Sequence, residues 1–168
     1  MNRILLSLAL FLAAWTACAQ NAKAVYMKYS DMKGVEAAYI SREMFETFGR
    51  LPKIEILDED LDLTPVVREL KSLYVLESDN PRISARIRED VSALVRQGGY
   101  TLIMRDRDDD EETEIYAIIN GDRVSSLLFL SCEGRHELDF ICLEGDILKE
   151  DLKRILRHSD KPSKNKIQ

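Results

Sequence analysis

Cysteine, proline, glycine and histidine are all scarce in this sequence, and each shortage excludes a class of protein. Of 168 residues, 7 are glycine, 4 are proline and 3 are cysteine, which excludes collagen-like chains, low-complexity chains and small domains held together by disulfides. The two histidines, His136 and His158, do not form an HExxH motif or a zinc site built from cysteine and histidine. The remaining composition is that of an ordinary globular protein.

Positive charge is also in deficit. Lysine and arginine total 24 against 30 aspartates and glutamates, for a net charge of -6, which argues against the clustered basic surface with which most nucleic-acid-binding proteins neutralise phosphate. It contains no G-x-S-x-G motif, glycine-rich phosphate loop or C-x-x-C pair. The 6 tyrosines are scattered along the chain, which predicts positions in or beside the core rather than a stacking platform. We therefore predict no nucleic-acid partner and no cofactor, and the sequence indicates no catalytic residues.

The N-terminal residues have the pattern of a secretory signal peptide. Arg3 supplies a positive charge, an apolar run follows over 4–14, and Ala17 and Ala19 form a small-x-small cleavage site. We expect residues 1–19 to be removed after Ala19 and the protein to be exported to the periplasm or the outer membrane. No later apolar run approaches the roughly 20 residues that a membrane-spanning helix needs, so we expect no transmembrane segment in the mature chain.

A lipid anchor is the alternative interpretation of the same residues. Cys18 would be acylated after cleavage in front of it, and the protein would then be held at a membrane. Bacterial lipoprotein signals usually place leucine three residues before that cysteine, whereas Trp15 stands there in this chain. The sequence favours cleavage after Ala19 and leaves lipidation of Cys18 open.

The chain that remains after cleavage fits a single domain. We assign residues 20–156 to one domain, because a chain of this size buries about two thirds of its unfolded surface and forms one core. Residues 157–168 are polar and basic, and we predict a disordered tail there.

The sequence predicts an α+β fold. Apolar residues recur with a helical period over 82–97 and glycines follow, whereas the later pattern is that of strands. Asn120-Gly121 is a strong hairpin signal, because both central residues of a type I′ turn need positive φ. We expect an antiparallel β-meander of about four to six strands with helices packed on one face. Strands are predicted over 37–40, 73–76, 100–104, 114–119, 123–132 and 138–143, a brief strand over 53–57, and further helices after Ser41, over 64–70 and over 147–156.

The two cysteines beyond the signal peptide are predicted to be unpaired. They lie in the last two strands, and residues 133–137 between them form a glycine-containing hairpin loop. Such a loop places Cys132 opposite Leu138 and Cys142 opposite Leu128, which separates the sulfurs by about 13 Å. A disulfide requires Cα atoms within about 7 Å. We therefore predict two buried free thiols that pack as small apolar side chains.

An acidic run extends from Arg105 to Glu114, after the predicted strand over 100–104. We interpret it as a solvated hairpin loop whose charge discourages aggregation of the neighbouring strands. Calcium binding is the alternative, since Asp106, Asp108 and Asp110 have the spacing of positions 1, 3 and 5 of an EF-hand loop. Position 6 is Glu111 rather than glycine, and position 12 is alanine rather than a bidentate glutamate. The calcium interpretation is therefore restricted to weak binding, and no other metal site is predicted.

Several strings together resemble a known family. They are Tyr29-Ser30-Asp31-Met32-Lys33-Gly34-Val35, Tyr39-Ile40-Ser41-Arg42-Glu43-Met44-Phe45, Gly99-Tyr100 at the start of a strand, and Leu143-Glu144-Gly145-Asp146-Ile147 before the last helix. Together with the order of elements, they resemble the secreted Bacteroidetes family catalogued as domain of unknown function 4252, over nearly the whole mature chain. The resemblance implies a small exported α+β protein whose genes often lie near extracytoplasmic sigma factor systems. It implies no particular catalytic residues.

These observations predict an exported accessory or interaction protein of the cell envelope rather than an enzyme. We expect its partner to be an envelope protein, with a link to an envelope signalling or stress circuit. The binding surface would be a free sheet edge or the sheet face opposite the helices. The alternative is a secreted hydrolase that uses two carboxylates about 5–10 Å apart, one of them with a raised pKa.

Overall fold

The computed structural model of the chain describes residues 21–48, 64–134 and 136–153. A six-stranded sheet is the centre of the fold, with strand order β1-β2-β6-β5-β4-β3 and antiparallel pairing throughout. The α+β class and the antiparallel sheet are therefore confirmed. The helices are α1 (Ala22–Tyr29), α2 (Arg42–Phe48), a 3₁₀ helix (Thr64–Glu69) and α3 (Pro81–Gln97); the strands are β1 (Glu36–Ser41), β2 (Leu70–Ser78), β3 (Thr101–Arg107), β4 (Glu111–Asn120), β5 (Arg123–Glu133) and β6 (Glu137–Leu148).

The long helix α3 forms where the helical period predicts it. The side chain of Asn80 caps its N-terminus by accepting hydrogen bonds from the backbone N–H groups of Arg82 (3.1 Å) and Ile83 (3.4 Å). Pro81 occupies the first turn, where a missing N–H costs little. Its apolar stripe is buried against the sheet, so α3 covers the face that we call the helix face; the buried members of the stripe are Ile87, Val91 and Leu94.

Helix α1 also lies on the helix face, and the sequence patterns did not predict it. It is only 8 residues long, too short for a clear apolar period. The side chain of Asn21 accepts a hydrogen bond from the backbone N–H of Ala24 (2.8 Å) and caps the helix. At the other end, the hydroxyl of Tyr29 donates to Asp90 of α3 (2.7 Å) and Lys28 pairs with the same carboxylate (2.5 Å). These contacts join α1 to α3 over the sheet.

The opposite face of the sheet, which we call the second face, has a core of its own. Neighbouring residues of β2 point to opposite sides: Tyr74 and Leu76 belong to the helix-face core, and Leu73 and Val75 to the second-face core. Helices were expected on one face, yet the second face is also covered. The reason is that β2 and β6 are apolar on both sides, so both sides require burial. The covering side chains are Phe45 of α2, Val66 of the 3₁₀ helix and Leu152.

The hairpins follow their sequence signals. A hairpin joins β4 and β5 where Asn120-Gly121 predicts one, but the predicted type I′ turn is wrong. Asn120 pairs with Arg123 at the end of the strand, so the two-residue loop is Gly121-Asp122. Only Gly121, at φ +62°, has positive φ there, which is the pattern of a type II′ turn. In the next hairpin, Cys132 lies opposite Leu138 and Cys142 opposite Leu128, which confirms the predicted register.

The C-terminal helix was expected to begin at Ile147, and this is corrected. Ile147 pairs with Val124 inside β6 and is 1% exposed in the second-face core, so burial holds it in the strand. The helical segment begins at Lys149.

Several predictions fall on residues outside the described ranges. They concern the signal peptide, Cys18, the brief strand over 53–57 and the tail over 157–168. Within the described ranges, the structure has no helix whose length and apolar character would let it cross a membrane.

Candidate interaction surface

The edge strand β3 exposes an apolar segment. Among the residues that the structure describes, β3 pairs with β4 on one side and no strand pairs with it on the other. Leu102, Ile103 and Met104 are 43%, 41% and 44% exposed. An edge strand also presents N–H and C=O groups that no neighbouring strand satisfies. The β3 edge therefore combines apolar side chains with free backbone hydrogen-bonding groups.

The pairing with β4 determines which way the side chains of β3 point. Leu102 lies opposite Tyr116, which packs on the helix face, whereas Met104 lies opposite Ile115, which belongs to the second-face core. The register shifts between these two pairs, so Ile103 is the extra residue of a β-bulge. After the bulge, the side chains of β3 alternate regularly between the two faces.

Beyond the bulge, cross-strand ion pairs extend the hairpin. Arg105 lies opposite Glu114 and Arg107 opposite Glu112, and opposite charges at facing positions stabilise antiparallel strands. The acidic run was expected to be a solvated loop, but most of it is strand, with only residues 108–110 between β3 and β4. The signal that could have shown this is the symmetry of two arginines and two glutamates about the turn.

These ion pairs lie in a groove between α3 and the β3–β4 hairpin, of about 550 Å³. Four arginines and two glutamates supply its charged groups, so positive charge is in excess within a chain that is negative as a whole. We call it the arginine groove. Its charged residues are Arg88, Arg96, Arg105, Arg107, Glu112 and Glu114.

The carboxylates form the floor of the arginine groove and the guanidinium groups lie above them. The side chain of Glu112 is 14% exposed, whereas that of Arg107 is 70% exposed. Arg107 Nη2 lies 2.6 Å from Glu112 Oε1, and Arg88 contacts the other oxygen of the same carboxylate. Arg105 Nε donates to Glu114 Oε1 at 2.7 Å. The surface that a ligand would meet is therefore positive.

The protonation state of Glu112 fits this arrangement. Loss of hydration would raise the pKa of Glu112, but hydrogen bonds from Arg107 and Arg88 outweigh it and hold that pKa below its usual value. The carboxylate therefore stays charged and keeps the guanidinium groups in position. Arg96, in the last turn of α3, lines the same groove and has no ion pair with any residue in the described ranges.

An aromatic cluster lies at the opposite end of the sheet. Tyr39 of edge strand β1 stacks on Tyr74 with ring centroids 5.3 Å apart, and Tyr26 of α1 packs against both rings at 6.2 and 5.5 Å. Tyr39 is 50% exposed. The scattered tyrosines were not expected to meet, because the three come from separate elements that only the sheet order brings together.

The second face carries an acidic row near the β5–β6 hairpin. Glu36 lies opposite Glu77, and Glu77 lies opposite Asp139. Partial burial, and then nearby carboxylates, first among them that of Glu77, together raise the pKa of Asp139 to about 6. The two faces of the sheet therefore differ in sign, with arginines exposed on the helix face near β3 and carboxylates on the second face.

The three aspartates proposed for calcium are placed as follows. Asp106 is in β3 opposite Thr113. Asp108 and Asp110 lie in the short loop, where the backbone N–H of Asp108 donates to the C=O of Glu111. Across the described ranges, no three carboxylate, cysteine or histidine side chains are grouped so that they could hold a metal ion. Calcium binding stays a sequence prediction.

The thiols are both buried and unpaired, as predicted. Burial raises the pKa of Cys142 to about 12 and also raises that of Cys132, so both are neutral at ordinary pH. Ser126 Oγ lies 3.4 Å from Cys142 Sγ and 2.8 Å from the Tyr100 hydroxyl. Ser126 and Cys142 are buried, and these contacts satisfy hydrogen-bonding groups inside the core.

Comparison with known proteins agrees with the resemblance seen in the sequence. The family model described as "Domain of unknown function (DUF4252)" matches residues 29–155. The chain belongs to this family. No curated protein and no solved structure matches the chain. The part matched by the DUF4252 model includes all six strands, both faces of the sheet and the arginine groove.

Proposed function

We propose that this DUF4252 protein is an exported interaction protein of the cell envelope, which binds a partner protein by adding an extended segment of that partner to β3. The observation that carries the proposal is the exposure of Leu102, Ile103 and Met104 on a sheet edge. Edge strands with free backbone groups and exposed apolar side chains are templates for strand addition.

The other residues of β3 also support its free edge as the binding site. Proteins usually protect an edge by charge, Pro, a bulge or a short strand. Here the bulge at Ile103 and the charged residues Arg105 and Arg107 prevent uncontrolled pairing, while the apolar segment stays open. Such an edge accepts a selected segment rather than any exposed strand.

The experiment compares edge variants in capture from a cell-envelope extract. Ile103→Lys adds charge to the edge, and Met27→Lys is the matched control because Met27 is 63% exposed on α1. We expect a reproducible partner to be retained by the unchanged chain and by the control, and to be lost by Ile103→Lys. Hydrogen exchange should slow at the β3 amides when the partner is bound.

Two results would overturn strand addition at β3: equal capture by Ile103→Lys and the control, or binding that leaves exchange at β3 unchanged. Melting temperatures of both variants should stay close to that of the unchanged chain, because exposed substitutions typically change stability by less than about 0.5 kcal/mol.

Export is tested on the N-terminus of protein isolated from cells. Mass spectrometry should find a chain that begins at Gln20, with free or cyclised glutamine. A diacylglyceryl group on Cys18 would instead assign the protein to a membrane surface through a lipid anchor. An unprocessed Met1 on protein from the envelope would contradict cleavage.

A secreted hydrolase is the second candidate, and Asp139 is the observation that favours it. Its pKa is raised to about 6, as a general acid requires, and a second carboxylate, Glu77, lies on the neighbouring strand. Hydrolysis of envelope polysaccharide that is lost in Asp139→Asn and kept in the control Asp79→Asn would support it. Equal activity of the two variants would remove it.

A further inference from the structure

We infer that the arginine groove selects the partner segment by charge, so that the strand added to β3 carries acidic side chains at alternate positions. This rests on the proposed strand addition at β3. It goes further because it specifies the chemistry of the partner segment.

The positions follow from the register of β3. Arg105 and Arg107 lie opposite Glu114 and Glu112 on the helix face, two residues apart in the strand. Side chains directly opposite each other on neighbouring strands have Cβ atoms about 4.5–5.5 Å apart. A strand added to the free side of β3 would therefore place two alternate side chains beside these guanidinium groups.

The guanidinium groups have N–H donors left for acidic side chains of an added strand. Each arginine has five N–H donors, and Arg105 uses two nitrogens for Glu114. Arg105 and Arg107 remain 52% and 70% exposed while the carboxylates beneath them are covered. Arg96, which forms no ion pair within the described ranges, adds charge to the same groove. Donors are therefore left on the exposed side of the groove.

The other face of β3 sets a different requirement. Met104 and Asp106 point to the second face, opposite Ile115 and Thr113. An added strand would place an apolar side chain beside Met104, and an acidic one beside Asp106 would be repelled. The favoured segment is therefore amphipathic, with acidic residues toward the arginine groove and apolar residues on the other side.

A second copy of this chain fits the edge less well. The groove side of β3 carries Leu102, Arg105 and Arg107 and no acidic residue. Pairing two β3 strands would therefore bring the arginines of two copies together without supplying further carboxylates to the exposed side of the groove.

The experiment uses blocked synthetic peptides and the full chain, with binding measured by calorimetry or fluorescence anisotropy. One peptide alternates valine and glutamate, a second alternates valine and lysine, and a third alternates valine and threonine. A fourth repeats the acidic sequence with alternate backbone amides N-methylated, which blocks strand pairing. Arg107→Gln is the test variant, since Arg88 still pairs with Glu112. Arg82→Gln is the matched control, exposed at the start of α3 and outside the groove.

We expect the acidic peptide to bind the unchanged chain and Arg82→Gln equally and to bind Arg107→Gln about tenfold more weakly, as for loss of one charge-assisted hydrogen bond. Affinity should fall as salt rises. The lysine and N-methylated peptides should bind at least tenfold more weakly than the acidic peptide.

The outcomes separate this inference from the proposed function. Equal binding of the acidic, threonine and lysine peptides, with weaker binding of the N-methylated acidic peptide, overturns acidic selection and leaves strand addition standing. Equal binding of the acidic peptide and its N-methylated form overturns strand addition itself. No binding of the acidic peptide at concentrations up to about 1 mM, or equal weakening by Arg82→Gln and Arg107→Gln, also overturns the inference.

Discussion

Cys132 and Cys142 lie on adjacent strands but do not face each other: Cys132 is opposite Leu138, and Cys142 is opposite Leu128. Their side chains point to the same face of the sheet and are both buried in the helix-face core. The register of the hairpin therefore keeps the two thiols apart.

This arrangement predicts the thiol count. In a chain with Cys18 replaced by serine, two thiols should react with a thiol reagent in denaturant without reductant. In native buffer neither should react quickly, because both are buried and the pKa of Cys142 is raised to about 12. A denatured, unreduced sample with no reactive thiol would contradict the register.

Replacing Tyr100 with phenylalanine tests the buried polar group. Its hydroxyl lies 2.8 Å from Ser126 Oγ, and its removal should lower the free energy of unfolding by about 1 kcal/mol. The matched control is Tyr39→Phe, because that ring is half exposed, and it should change stability by less than about 0.5 kcal/mol. Urea denaturation measures both values, and equal values would show that the buried contact contributes nothing.

The raised pKa of Asp139 predicts that the free energy of unfolding depends on pH. Partial burial and then the carboxylates around it raise its pKa from 3.8 to about 6, so its native pKa lies above its unfolded one. The stabilisation of the folded state that comes from this higher pKa is therefore fully present below about pH 4, and it is lost as the pH rises through about 6. The carboxylates responsible, in order, are those of Glu77, Glu137, Glu133 and Glu111.

Asp139→Asn should remove this dependence. At pH 7 the variant should be more stable than the unchanged chain by about 1–2 kcal/mol, less than the full shift implies because the side chain is only partly buried. The measurement is urea denaturation at pH values from 4 to 7, with exposed Asp122→Asn as the control. A constant difference between Asp139→Asn and the unchanged chain at all pH values would contradict the assignment.

Gly145 is required by close approach of two backbones. It lies opposite Leu70, where the pairing of β2 and β6 shifts register. A Cβ atom built at Gly145 would lie 2.5 Å from the carbonyl oxygen of Glu69, a contact that backbone atoms must move to relieve. Gly145→Ala should therefore lower the free energy of unfolding by about 1–3 kcal/mol, measured against Glu150→Ala at an exposed position. Equal stability of the two variants would contradict the close contact.

Local signals account for much of the fold. The stripe through Ile87, Val91 and Leu94 predicts α3, and Asn120-Gly121 predicts the β4–β5 hairpin. The cysteine register follows from a single loop. Each of these depends on residues close together in the chain, where periodicity and turn chemistry act directly.

The sheet order and the arginine groove depend on distant residues. Arg88 meets Glu112 across 24 positions, and no local pattern brings them together. The arginines and glutamates of the β3–β4 hairpin are the exception, since their symmetry about the turn could have indicated cross-strand pairs. The edge position of β3, which exposes Leu102 to Met104, follows only from the whole topology.

The place of β6 in the sheet has a consequence for synthesis. It lies between β2 and β5, so the last of the described strands to be synthesised is one of the two most central in the sheet. In a nascent chain that ends before Glu137, strands β1 and β2 do not pair with strands β3 to β5. Both parts of the sheet then end at an apolar strand that pairs with β6 in the complete fold. Folding is completed when the final strand arrives, and the two cores are closed in the same step.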